Sequence, residues 1–202
     1  RSVLADLTLD WEETLGLGLH VARAFDGKRE ADRAFARLSV ALAKFMGNKL
    51  APGVVCEAME ILGGMGYVED TGLPLLLREA PLNALWEGTG NTLCLDILHT
   101  LRSTPLSGEV LGRELGEVTG QYLGYDAALH AHMQRFPHLP DEAQVRWYVA
   151  SLASLLSASV LIRHAPAAIA EGYIATRLTG VRGPVAGAIS GVDIDAVLER
   201  LA

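Results

Sequence analysis

The sequence predicts an all-α protein, most simply an antiparallel helical bundle with a C-terminal helical extension. Apolar residues recur at three- and four-residue steps through most of the chain, no stretch alternates with a two-residue period over the length of a strand, and no internal repeat is evident. With 202 residues, 50% of them hydrophobic, the chain can bury one sizeable core, or one core plus a satellite.

Leu4, Leu7, Trp11, Leu15, Leu19, Ala22 and Phe25 share the period of a helix with one apolar face, which Asp26-Gly27 ends. A second, long helix is expected over 30–62 through Phe35, Leu38, Leu42, Phe45, Leu50, Val54, Met59 and Leu62, with a possible kink at Pro52 and a stop at Gly63-Gly64. After a Gly-rich loop, LPLLLREAP forms a short segment closed by Pro81, and Thr89 or Asn91 caps a helix over 90–103. The turn 104–108 (TPLSG) is the first plausible boundary, so the expected units are 1–104, the bundle, and 105–202, the extension. Further helical patterns follow near 109–135, 140–164, 166–178 and 193–201. The chain enters a helical pattern at once and without an initiator Met, so a first bundle helix is expected to precede residue 1 and to leave apolar stripes on 3–25 and 35–62 exposed.

Charge and cysteine usage narrow the function classes. There are 17 Lys or Arg against 24 Asp or Glu, a net charge of −7. From residue 100 onward the count is 8 Arg, no Lys and 10 acidic residues, so this half has no basic excess to drive nucleic-acid binding. A mean hydropathy of +0.25 with 20% charged residues implies apolar surface that another subunit or a missing domain covers; where it is a subunit, a homo-oligomer, dimer or tetramer, is expected. Cys56 and Cys94 lie in separate apolar patterns without metal-ligand spacing, which suits two buried thiols in a reducing, cytoplasmic compartment. The apolar run 149–162 is shorter than the roughly 20 residues of a bilayer span, so a buried bundle helix is expected and no membrane partner.

Several local signals carry a bland reading beside a chemical one. Gly16-Leu-Gly18 lacks the preceding strand and third glycine of a dinucleotide loop and reads as close helix packing. His130 and His132 point about 200° apart on a helix and suit solvated or capping roles better than a shared metal. Glu87 can be a helix-end charge favoured by the macrodipole. Gly63, Gly64 and Gly66 exceed what a cap needs and would let a backbone approach a ligand, with at least one residue at positive φ. The turn Thr89-Gly90-Asn91 offers hydroxyl, amide and free helix N–H groups together, a natural anion site.

The run from Cys56 to Leu98, CEAMEILGGMGYVEDTGLPLLLREAPLNALWEGTGNTLCLDIL, resembles the C-terminal helical domain of flavin-dependent acyl-CoA dehydrogenases. The matching pieces are the helix end and turn EILGGMGY, the segment LLREAP and the turn WEGTGN opening a helix. The last of these, followed by CLDIL, is most similar to the AidB-like branch, which is associated with the response to alkylating agents and so leaves a DNA-binding role as an alternative. A non-catalytic helical oligomerisation domain is a further one. The resemblance implies an FAD-dependent oxidoreductase acting on acyl-CoA, with Glu87 removing the acyl α-proton. Thr89 and Asn91 match positions touching the ADP portion of FAD; Glu60 and Gly64 match positions that reach the flavin of a neighbouring subunit. Glu60 departs from the commoner Gln. Some family members place the base on an earlier helix, upstream of residue 1. The resemblance implies that this stretch alone holds about half a site, so FAD binding by it is expected to be weak or absent and the isolated fragment inactive.

Overall fold

The computed structural model describes residues 1–201 as helices joined by turns and two longer loops, 136–144 and 179–193. Among these residues the sole extended pairing is an isolated antiparallel bridge between Arg182 and Ile189. Helix α1 (Ser2–Asp26) packs along α2 (Glu30–Ile61), and Gly27 makes the turn between them. Helix α2 is continuous through Pro52, so the expected kink is not a break. Having no N–H, Pro52 leaves the carbonyl of Asn48 without its helical donor.

The glycine turn contains α3 (Gly64–Tyr67) and a single 3₁₀ turn, Glu69–Thr71. Gly63 takes φ 59°, as the glycine density anticipated. Gly63 and Gly64 are exposed but Gly66 is buried. A Cβ there would meet the Met59 carbonyl oxygen at 2.0 Å, so the close approach at Gly66 is made by the chain's own backbone. Helix α4 (Leu73–Asn83) carries Pro81 inside its last turn instead of ending at it. Helix α5 (Gly90–Ser103) returns against α2, tied by the bidentate pair of Arg37 with Asp96 at 2.6 and 2.8 Å.

The C-terminal half continues the same packing. Helix α6 (Pro105–Gly116) starts within the turn at 104–108; 117–122 then interrupts the expected long helix before α7 (Leu123–Arg135). Gly120, at φ 86°, receives both carboxylate oxygens of Asp126 on its N–H. Helix α8 (Val145–His164) lies against α1, α2 and α5, and one continuous hydrophobic core joins Leu9, Leu38 and Leu42 to Leu98, Val149 and Leu156. By length and composition α8 could cross a bilayer, and 67% of its apolar window is buried inside the protein. Helix α9 (Ala167–Tyr173) runs into a π-helical turn, Ile174–Leu178, and α10 (Ile194–Leu198) closes the chain on α1.

The expected apolar stripe on α1 is exposed: Leu4, Trp11, Leu15, Leu19 and Phe25 face outward while Ala5, Leu9, Leu17 and Val21 are buried. On α2 the outcome differs, because Phe35, Leu38, Leu42 and Phe45 lie in the core beneath α5, α6 and α8. Cys94 is buried as expected, whereas Cys56 is exposed.

What binds the tail to α1 is polar. Asp6 is fully buried and accepts from Arg177, from Arg182 Nε at 3.0 and 3.1 Å and from the N–H of Gly187 at 2.9 Å. Arg177 also reaches Asp10, Arg200 holds Glu12, and the Tyr173 hydroxyl donates to Glu13 at 2.7 Å. Gly187 is required twice over: its φ is 77°, and a Cβ would sit 2.6 Å from Val3. Burial pushes the Glu13 carboxyl up to about 7, against the smaller opposing effect of the Tyr173 hydrogen bond.

Candidate functional site

The candidate site is built where the chain leaves α4 and enters α5. Glu87 stands in the left-handed region at φ 53°, the single non-glycine residue with positive φ among those described, and Gly88 follows at φ 112°. The presence of a Cβ makes that region costly, and such conformations persist where surrounding contacts hold them. Here Lys44 on α2 supplies the contact: its Nζ donates to the carbonyls of Trp86 at 2.7 Å and Glu87 at 3.1 Å. One helical turn along, the Asn48 amide donates to the Asn83 carbonyl at 2.7 Å. Two side chains of α2 therefore fasten the segment that carries Glu87. The Glu87 carboxylate itself has no hydrogen-bond or ion-pair partner among the described residues.

Leu85 and Trp86 are the apolar side chains next to Glu87 from which a dry wall around its carboxylate would be built. They are 62% and 60% exposed and Glu87 is exposed too, so any wall must be completed by atoms outside this chain.

Thr89 occupies the N-cap position of α5, but its hydroxyl bonds to that of Thr92 at 3.1 Å and caps no backbone N–H. Asn91 lies in the first turn and caps nothing either; its Oδ1 accepts from Arg146 Nη1 at 2.8 Å. The first N–H groups of this 14-residue helix thus lack a side-chain acceptor. They open on a cavity of about 390 Å³ that Thr89, Gly90 and Asn91 share with Asn48, Lys49 and Arg146. A Cβ on Gly90 would approach Lys49 Cε to 3.0 Å, so the glycine makes room for the ammonium over the helix end. Two cations and a free helix N-terminus in one concavity suit a phosphate-bearing ligand.

Glu60 and Gly64 are not part of this constellation. Both are exposed at the far end of α2, and Glu60 lies eleven residues beyond Lys49, roughly 16 Å along the helix axis. Lys44, Asn48, Lys49 and Arg146 were missed in the sequence. The first three share their stretch of helix with Pro52, and a polar patch on one side of an apolar helix was the available signal.

Residues 1–101 match the family model described as acyl-CoA dehydrogenase, C-terminal domain. The chain belongs to the acyl-CoA dehydrogenase family. AidB of Escherichia coli is 36% identical over 174 residues, 86% of this chain and 32% of AidB. The acyl-CoA dehydrogenase family member 11 of Caenorhabditis elegans is 39% identical over 104 residues, 48% of this chain and 17% of that protein. Bovine mitochondrial short-chain specific acyl-CoA dehydrogenase is 32% identical over 101 residues, 50% of this chain and 23% of the enzyme. The chain thus spans a third or less of these relatives. Among solved structures, C. elegans ACDH-11 in complex with C11-CoA superposes with a TM-score of 0.69 at 23% identity, covering 96% of this chain and 34% of that one. That likeness extends the shared fold into the C-terminal half. Members of the acyl-CoA dehydrogenase family use FAD, and the cavity at the start of α5 fits the anionic portion of such a cofactor, because unsatisfied N–H groups, Lys49 and Arg146 meet there.

Proposed function

We propose that this chain is the C-terminal part of an FAD-dependent acyl-CoA dehydrogenase-like oxidoreductase in which Glu87 takes the α-proton of an acyl thioester. The observation that carries the reading is the backbone of Glu87, held in the left-handed region by Lys44 beside the free N-terminus of α5. Bound flavin would supply the acceptor for the β-hydride. The chain's own contribution is to hold a carboxylate, without competing partners, at a fixed place beside the anion cradle. Thr89, Asn91 and Lys49 would bind the cofactor's phosphate-bearing end. Glu60 and Gly64 would serve the site of a neighbouring subunit in a homo-oligomer. An acyl α-proton is too weakly acidic for a carboxylate in water, so closing the site must also dry the space around Leu85, Trp86 and Glu87.

The test is Glu87→Gln in the whole protein. Flavin content should be retained, while reduction of the flavin by acyl-CoA falls on the order of 100-fold or more. Unchanged reduction would refute the assignment of the base.

A further inference from the structure

The C-terminal half lines a second cavity with its own set of residues, Trp147 of which adjoins Arg146 of the cavity at α5. A groove of about 460 Å³ runs between α7 and α8 and is closed at its base by the π-helical turn through Arg177 and Leu178. Its volume falls within the usual range of small-molecule sites. At the rim, the Arg135 guanidinium lies 4.2 Å from the Trp147 ring centroid and 5.5 Å from that of Phe136. Arg135 has no carboxylate partner among the described residues, in contrast to the paired Arg37, Arg78, Arg163 and Arg177. Trp147 is 61% exposed although the Arg135 guanidinium lies over its ring, so the stacked pair as a whole faces solvent at the rim.

Inside the groove, His132 is half-buried and its Nδ1 lies 2.7 Å from the Ser151 hydroxyl, which in turn donates to the Tyr148 carbonyl at 3.0 Å. With that hydroxyl proton on the Tyr148 carbonyl, His132 donates through Nδ1 and its Nε2 is the free acceptor of a residue that lines the cavity. Burial lowers the imidazole pKa, which keeps this acceptor unprotonated at neutral pH. Arg177 at the base is neutralised by Asp6 and Asp10, so Arg135 supplies the net positive charge. An exposed guanidinium–indole pair with no carboxylate on the arginine and a histidine in the same groove together select a ligand: flat, anionic at one end and carrying a donor at the other.

We propose that the α7–α8 groove binds a planar aromatic or heteroaromatic anion, with its carboxylate or phosphate on Arg135, its ring against Trp147 and Phe136, and a donor on His132 Nε2. The site is independent of the flavin-dependent reading of Glu87. Two probes separate the sources of the anion in calorimetric titrations of the chain: adenosine 5′-monophosphate for a phosphate and 6-hydroxy-2-naphthoate for a carboxylate. Saturable one-to-one binding of at least one probe is expected. Arg135→Gln should weaken it about tenfold or more, since a charge-assisted hydrogen bond is lost. Trp147→Ala should weaken it as well, and the ¹⁵N resonance of His132 Nε2 should shift on binding. Arg113→Gln, at an arginine of a different cleft, should leave the affinity unchanged and controls for general charge. Absence of saturation by either probe at roughly 1 mM, or affinities indifferent to both Arg135→Gln and Trp147→Ala, would overturn the proposal.

Discussion

Replacing Glu87 by glycine should make the protein more stable. At φ 53° an L-residue costs about 1–2 kcal/mol relative to its preferred regions, and glycine escapes that cost. Glycine also gains freedom in the unfolded chain, which offsets roughly 0.5–1 kcal/mol. The side chain being removed makes no hydrogen bond or ion pair, and Lys44 grips backbone carbonyls that the substitution leaves in place. The net gain is therefore about 0.5–1 kcal/mol, or an upward shift of roughly 1–4 °C in the melting midpoint for a chain of this size. Glu87→Gln keeps the Cβ and should stay within about 0.5 kcal/mol of wild type. Thermal and urea unfolding of the two variants beside wild type measures both effects. A Glu87→Gly midpoint at or below that of wild type would show that the turn stores no strain, and would remove the physical reason for reading this backbone as a specialised one.

Three further outcomes test α1 and α6, which pack around the helices of the site. Glu13, raised to about 7 by burial, holds its proton in the folded state where the unfolded chain, near 4.5, has lost it; folding stability should therefore fall by about 2–3 kcal/mol as pH rises from 4.5 through 7, and Glu13→Gln should flatten that decline in pH-resolved unfolding. Glu114, held down to about 2 by His20 and then by Arg163, acts in the opposite window, its stabilisation lost only as pH falls from 4.5 towards 2, so the two contributions separate on one titration. On the outer face of α1, Leu19 is 63% exposed within the apolar stripe, and sedimentation at tens of micromolar should show self-association that Leu19→Glu reduces; a monodisperse wild-type monomer would count against a subunit interface there.

The elements legible in the sequence were those whose signal is local. The apolar period gave α1, α2 and α5 to within a residue or two, and the turn WEGTGN located Glu87 and the start of α5. The interruption at 117–122 falls inside the helical pattern expected near 109–135, because the apolar period continues across it and the stop is made by Gly120 at positive φ. Asp6, Asp10 and Glu13 were passed over because their partners are Arg177, Arg182 and Tyr173, more than 150 residues away, and periodicity holds no information at that range. The strain at Glu87 was likewise unavailable, since Glu ordinarily avoids that region and only the grip of Lys44 explains it.

The long-range contacts also change how the two halves relate chemically. Asn91 belongs to the part matched by the family model, whereas Arg146 stands at the first turn of α8, beyond it. Free in solution, the Asn91 amide could present either its oxygen or its nitrogen to a ligand. With Oδ1 taken by the Arg146 guanidinium, the NH₂ group is the end left to act, and an NH₂ donates to an anion where an oxygen would repel it. Arg146 is fixed in turn by α8, which the core shares with α1, α2 and α5. The carboxylates of α1 that hold Arg177 and Arg182 secure the following segment against the same bundle. The C-terminal half therefore works on the candidate site from a distance: it completes the cation pair over the start of α5 and sets the polarity of the residue at its centre.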